Sequence, residues 1–215
     1  MPGSWLQAHA ADAGALIFHV VCFVVYRVWQ IARARRDPRA TLQGQQSVVR
    51  SAWVGEILRS GNGILGVQTL RNAMMATLFF ASNTIFLVFG VLTVTAQANF
   101  KESWAVLETG ALISSQIAQL KLLLLLVSLL GAFFCFISAV RLFSHASVSI
   151  GTKTSAPERV VAQIDSAWSY QGLGVRCYYF AAPLLCWLFG THWLVVADLG
   201  VIALMHAFDN APARG

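Results

Sequence analysis

The chain has 215 residues, 57% hydrophobic and 11% charged, with a net charge of +6 and a mean hydropathy of +0.65. A water-soluble domain carries about 25% charged residues, so a soluble globular class is excluded. The basic excess flanks apolar blocks, where insertion polarity and anionic lipid account for it, and this leaves nucleic acid a poor partner.

Four apolar blocks, at roughly 13–32, 72–96, 120–143 and 177–208, approach the ~20 helical residues needed to cross ~30 Å of hydrocarbon. They predict an all-α integral membrane protein, residues 1–215 forming one membrane domain, with four transmembrane helices and interfacial amphipathic helices on the cytoplasmic side. Block one begins after Asp12 with no basic region ahead of it, so residues 1–12 are expected to be a retained tail, not a signal peptide. Arg33, Arg35, Arg36, Arg39, Arg50 and Arg59 follow block one, with Arg71 at the edge of block two. Lys153 and Arg159 lie between blocks three and four, with Arg141 and Arg176 at the helix edges. The middle loop sets Lys101 and Lys121 against Glu102 and Glu108. The positive-inside rule then places both arginine-bearing loops in the cytoplasm and both termini outside, in a bacterial inner membrane. Trp29, Trp53, Trp104 and Trp168 fall where amphipathic rings favour the headgroup level.

Along the chain, "SGNG" at 60–63 separates the amphipathic piece "SVVRSAWVGEILR" from the spanning helix. Block three carries Gly131, Cys135 and Ala139 at intervals of four, a spacing that lets helices approach closely. Block four is long for one span, and Pro183 and the "FGTHW" stretch around Gly190 are its expected kink sites. "SAW" and "LGV" at 51–53 and 65–67 echo those at 166–168 and 173–175, the pattern of a duplicated hairpin or a coincidence. Cys22, Cys135, Cys177 and Cys186 show no C-x-x-C spacing and read as packing residues, not as a disulfide framework or zinc site.

Block two keeps polar residues where lipid disfavours them. At 100° per residue Gln68, Asn72, Met75, Phe79 and Asn83 share a narrow stripe, and Asn83 comes close to mid-bilayer. Such amides face protein or water. The stripe is then either an interhelical hydrogen-bond seam or the lining of a path or cavity. Arg71 can snorkel to the inner surface and pair with Glu56 or a lipid phosphate.

"GQQSVVRSAWVGEIL", "GILGVQTLRNAMMATLFFASNTI" and "VRCYYFAAPLLCWLFG" together resemble the domain-of-unknown-function family numbered 599, small integral membrane proteins of bacteria and plants. The resemblance implies a multi-helix membrane protein and no particular activity. It departs at Gly190, Thr191 and His192, where such proteins tend to have a proline, and at "MHAFD", which leaves His206 outside it.

His19 lies about two turns into block one, and Asp198 two to three turns from the outer end of block four. On opposite-running helices the two reach comparable depth, so a His19–Asp198 pair is geometrically available. An intramembrane acid marks function by default, the alternative being a helix-locking hydrogen bond. His192 and His206, fourteen apart, share a face and raise a haem reading with His19. No inner histidine pair exists, since His145 is the only other one near the membrane, so no cofactor and no metal are expected. Hydrolase elbows, phosphate-binding glycine loops and HExxH motifs are missing from the sequence, which argues against an enzyme acting on soluble substrates and leaves lipid chemistry open.

The leading expectation is therefore a non-enzymatic membrane protein, a homo-oligomer or one with partner membrane subunits. It forms a polar pathway or binding cavity for an ion or small solute, lined by Gln68, Arg71, Asn72, Asn83, His19 and Asp198. The alternatives are an accessory subunit of a larger membrane complex and a haem-binding electron carrier.

Overall fold

In hydrocarbon a backbone must satisfy its own polar groups, and the helix is the local way to do so. The computed structural model describes residues 2–36, 42–96, 115–152 and 156–209, all in helices or the short joints between them. Arg39, Lys101, Glu102, Trp104, Glu108 and Lys153 lie outside the described residues. The helices are α1 (Pro2–Arg36), α2 (Leu42–Ser60), α3 (Gly63–Ala96), α4 (Ser115–Thr152), α5 (Pro157–Cys186) and α6 (Thr191–Asp209), with a 3-10 turn at Trp187–Phe189. Four segments are long and apolar enough to cross a membrane: Ala10–Arg33, Gly63–Ala96, Ala118–Thr152 and Pro157–Phe189. Thr191–Ala207 is a shorter apolar helix. The all-helical, four-span class is as expected.

Two joints fall where glycine permits them. Gly61, at φ 70°, ends α2 inside the "SGNG" stretch, since the left-handed region costs glycine no steric strain. Gly190, at φ 138° and ψ 157°, ends the 3-10 turn and lets the chain reverse. Pro183, by contrast, stands inside α5 without ending it, and the helix runs one further turn to Cys186.

This reversal corrects the reading of 177–208 as one span. The chain divides into two compact units, one of Met1–Thr41, Val91–Leu126 and Tyr179–Gly215, the other of Leu42–Gly90 and Val127–Tyr178. In the first unit Asp12 bonds Thr191, His19 bonds Asp198, and Trp29 stacks on His206. Residue numbers rise together along the two helices, so α6 runs parallel to α1. Trp187 meets Asp12 and Phe180 meets His19, so α5 runs antiparallel to both. Residues 177–208 are therefore the tip of a helical hairpin whose second arm returns along α1. The end of α6 lies beside Trp29, not beside Asp12, and the basis for placing both termini on one side is gone. Asp12 itself stands inside helix α1, not in a tail.

In the second unit α4 presents Ala132, Phe136, Ala139, Phe143, Ala146 and Ile150, all fully buried and spaced alternately by four and three. That period keeps one seam facing a neighbour. Val54 and Ile57 from α2, Leu70 from α3, and Val160, Ile164 and Ala167 from α5 close around the lower part of the seam. Trp168 packs edge-on against Phe143. Helix α2 is pinned by Asp165 of α5, which accepts from Arg50 Nε at 2.7 Å and from Ser47 Oγ at 2.9 Å. The small-residue face of α4 meets α5 within the chain: a Cβ on Gly131 would lie 3.9 Å from Cys177 Sγ. The duplicated hairpin is not found, because 51–53 and 65–67 flank a turn between α2 and α3 whereas 166–168 and 173–175 both lie within α5.

The closest approach is at Gly174 of α5, where an added Cβ would sit 2.6 Å from the Phe136 ring. Phe136 is fully buried and cannot swing aside. Gly174→Ala is expected to cost about 1–3 kcal/mol of stability, the usual cost of overpacking. Thermal unfolding in detergent reads this as a lowered midpoint that Phe136→Leu partly restores. Gly90→Ala, with no atom within 4 Å of its added Cβ, is the neutral control.

Candidate functional site

Helices α1 and α6 meet along a seam of period seven. On α1 the inward positions are Asp12, Ala15, His19, Phe23 and Tyr26; on α6 they are Thr191, Leu194, Asp198 and Met205. Parallel helices with this period place like-numbered rungs side by side. Two of the rungs are polar.

The deeper rung is His19 with Asp198. Nδ1 of His19 lies 2.6 Å from Oδ1 of Asp198, and both side chains are 0% exposed. Aromatic rings close the site, Phe180 at 4.2 Å and Phe23 at 5.1 Å from the imidazole centroid. Nε2 of His19 and Oδ2 of Asp198 are buried without a hydrogen-bond partner among the described residues. Unsatisfied buried polar atoms cost about 1–3 kcal/mol each, so this rung carries a penalty that a fully satisfied pair would not. The sequence-based pairing of His19 with Asp198 is met, but by parallel helices: Asp198 takes its depth from Thr191, two turns above it, and not from the far end of the chain.

The second rung was not expected. Seven residues, or about 10 Å of helix, before His19, Oδ1 of Asp12 accepts from Trp187 Nε1 and Thr191 Oγ1, both at 2.9 Å, and meets Lys121 Nζ at 3.3 Å. Lys121 of α4 is buried, lies 4.9 Å from the Trp187 ring centroid, and donates to the Trp187 carbonyl at 3.4 Å. Asp12 thus gathers α1, α4, the 3-10 turn and the start of α6 onto one oxygen. The signal in the sequence was the seven-residue spacing shared by Asp12 and His19 and by Thr191 and Asp198, legible only once the two helices are known to run in parallel.

The remaining predicted residues are not brought to this seam. Gln68, Arg71, Asn72 and Asn83 are all exposed on α3. The buried residues of that helix are Gly66, Leu70, Thr77, Ala81, Thr84 and Val88, and at 100° per residue Gln68, Asn72 and Asn83 point the other way. Among the described residues of its unit no path closes over this stripe. Glu56 pairs with Arg59, not Arg71. His192 and His206 are exposed, and His206 stacks on Trp29 at 5.5 Å, so it does not face His19 as an axial partner would. Among the described residues no group of three His, Cys, Asp or Glu side chains could hold a metal ion.

The Asp12 cluster makes a direct test. Asp12→Asn removes the countercharge of a buried ammonium and is expected to cost about 3–5 kcal/mol, as for a broken buried ion pair. Lys121→Met added to it removes the stranded charge and keeps the volume. The double variant should unfold at a higher temperature than Asp12→Asn alone.

No curated protein and no solved structure matches the chain. Residues 14–213 match the family described as "Protein of unknown function, DUF599", a stretch that includes the seam from Ala15 onward, but not Asp12, and also His206, which the sequence resemblance had left aside. A match over that length establishes the relationship: the chain belongs to the DUF599 family.

Proposed function

We propose that the protein is a subunit of an oligomeric membrane assembly whose α3 helices line a polar path for an ion or small solute between chains. One observation carries this reading: the stripe of Gln68, Asn72 and Asn83 lies opposite the buried face of α3 and is exposed. The buried hydroxyls of the same helix need no outside partner, since Thr77 donates to the Ala73 carbonyl at 2.8 Å and Thr84 to the Phe80 carbonyl at 2.7 Å. Side-chain amides cannot be silenced by an in-helix bond of that kind on both donor and acceptor. In lipid they call for protein or water. A second copy supplies the same stripe and hence complementary amides, and Arg71, at the helix end with the basic flank, stands at the mouth. In the accessory-subunit reading the same stripe docks on a different polypeptide.

The orientation follows from the hairpin. Arg27 and Arg33 mark the end of α1 that feeds the arginine-rich connection, which the positive-inside rule assigns to the cytoplasm. Helix α6 ends at the same level, beside Trp29, and its 19 residues reach ~28 Å, close to the hydrocarbon thickness. With α6 proposed as a fifth, shorter crossing beside the four long spans, the chain enters α1 from outside and leaves α6 in the cytoplasm of a bacterial inner membrane. A reporter that folds only in the cytoplasm should be active when fused after α6 and silent when fused before α1. Silence at both ends would return the layout to an even number of crossings.

For the path itself the informative variant is Asn83→Cys in a chain whose four native cysteines are replaced. A wet seam between copies predicts labelling by a water-soluble thiol reagent and a disulfide-linked dimer. Asn83→Leu should dry the seam and abolish ion or solute flux into reconstituted vesicles while assembly persists. Crosslinks only to another polypeptide would favour the accessory subunit. A cysteine that neither labels nor crosslinks would place the stripe in lipid and end the proposal.

A further inference from the structure

We propose that the His19–Asp198 pair is a proton-binding site, a single proton being the ligand this chain takes into its α1/α6 seam. The site lies within one chain and stands whether or not the α3 stripe lines a path. Its chemistry follows from which atoms are satisfied. With Nδ1–H donating to Oδ1 across 2.6 Å, the two atoms left over, Nε2 of His19 and Oδ2 of Asp198, are both acceptors, and both are buried without a donor. In that state the imidazole is neutral and the carboxylate carries an unpaired negative charge at 0% exposure. An isolated buried carboxylate is among the costliest groups a protein can hold away from water.

One added proton removes the charge. It bonds to Nε2; the Nδ1–H bond breaks as that proton passes to Oδ1, and an O–H bond forms. The product is a neutral imidazole of the opposite tautomer beside a protonated carboxyl group. The isomer in which Nδ1 keeps its proton, imidazolium beside carboxylate, has the same composition and also no net charge. Either way the seam gains one proton and loses one charge. The hydrogen bond between the two helices persists throughout, so binding does not require the helices to part.

The surroundings favour a proton over a metal or alkali cation. Calcium takes about 6–8 oxygen ligands and magnesium about six, whereas the pair offers two open acceptors inside a wall of Phe23 and Phe180. A proton needs one lone pair. The other ionisable groups of the unit are few. Among the described residues α1 brings Cys22, one turn from His19, Tyr26 one heptad inward and Asp12 one heptad outward. Its cations lie further off: Arg27, eight residues on, donates to Gln30 at 3.1 Å, and Arg33 sits over the Trp29 ring. From α5 come Tyr179, packed against the Phe23 cluster, and Cys186. From α4 comes Lys121, held at Asp12. From α6 come His192 and His206, both exposed. Among the described groups only His19 is bonded to Asp198, so the compensating charge arrives as a proton on the pair itself.

Infrared pH-difference spectroscopy of the full chain in lipid nanodiscs tests this, with aspartate carboxyls isotope-labelled so that no substitution is needed to assign the band. Over the pH interval in which the protein stays folded, either a protonated-carboxyl stretch of the labelled aspartate should grow or vanish, or its carboxylate stretch should shift as an imidazolium forms beside it. Asp198→Asn should delete it. His19→Gln, which keeps a hydrogen-bond donor but cannot take up the proton, should move its midpoint by on the order of one pH unit, a tenfold change in proton affinity. Asn83→Leu should leave band and midpoint unchanged, which separates failure here from failure of the α3 path. A labelled aspartate band that never changes over that interval would make the pair a fixed clamp and overturn the proposal. So would a band that follows sodium concentration at constant pH, since the ligand would then be the metal cation.

Discussion

Low-dielectric surroundings leave a polar group few ways to exist, and the α1/α6 seam shows how this chain uses them. Asp12 is neutralised by Lys121 and held by Trp187 and Thr191, and seven residues further in His19 and Asp198 bond each other. Slipping α6 along α1 by one turn would part His19 from Asp198 and Thr191 from Asp12, stranding a fully buried carboxylate and imidazole at a cost of several kcal/mol. The apolar positions of the seam, buried Ala15 and Leu194 between the polar rungs and Tyr26 with Met205 beyond them, would tolerate such a slip far better. Register here is set by polar rungs and tightness by apolar ones, much as a single buried asparagine fixes the register of a coiled coil.

This seam depends on the reversal at Gly190, which turns α6 back along α1. A backbone at φ 138° and ψ 157° suits glycine alone. Trp187, in the 3-10 turn just before it, ties the turn to Asp12 through its indole N–H and to Lys121 through its carbonyl. The turn and the outer polar rung are therefore one device: the residues that flank the reversal also hydrogen-bond the acid on the helix to which the chain returns.

Helix α3 treats its polar residues in two ways. On the buried face Thr77 and Thr84 are satisfied by carbonyls four residues back, and the Tyr178 hydroxyl from α5 joins the second at the Phe80 carbonyl, 3.1 Å away. On the opposite face Gln68, Asn72 and Asn83 are exposed. A helix long and apolar enough to span lipid thus keeps amides on its outer face, and this is the observation behind the proposed path between chains. The second unit can leave that face free because its packing is complete without it, with α4 threading alanines and phenylalanines between α3 and α5 and Phe136 resting on bare Gly174.

The helical class, the spans of α1, α3 and α4, the break at 60–63 and the polar stripe of α3 were all determined by the sequence, because each rests on local properties: hydropathy summed over ~20 residues, a glycine at a turn, and the 100° step of a helix. The availability of His19 for Asp198 was legible from depth alone. Whether 177–208 crosses once or folds back could not be read there, since a kinked span and a hairpin share the same hydropathy. The difference is a single dihedral at Gly190 whose value depends on what Trp187 and Thr191 find to bond. Asp12 and Lys121 looked like loop and tail residues for the same reason: each is polar by itself, and only the fold supplies the countercharge that lets it be held inside. Tertiary structure decided which polar residues are paired within the chain and which, like Asn83, face outward. Pairing is a property of two helices brought together, and no single segment contains it.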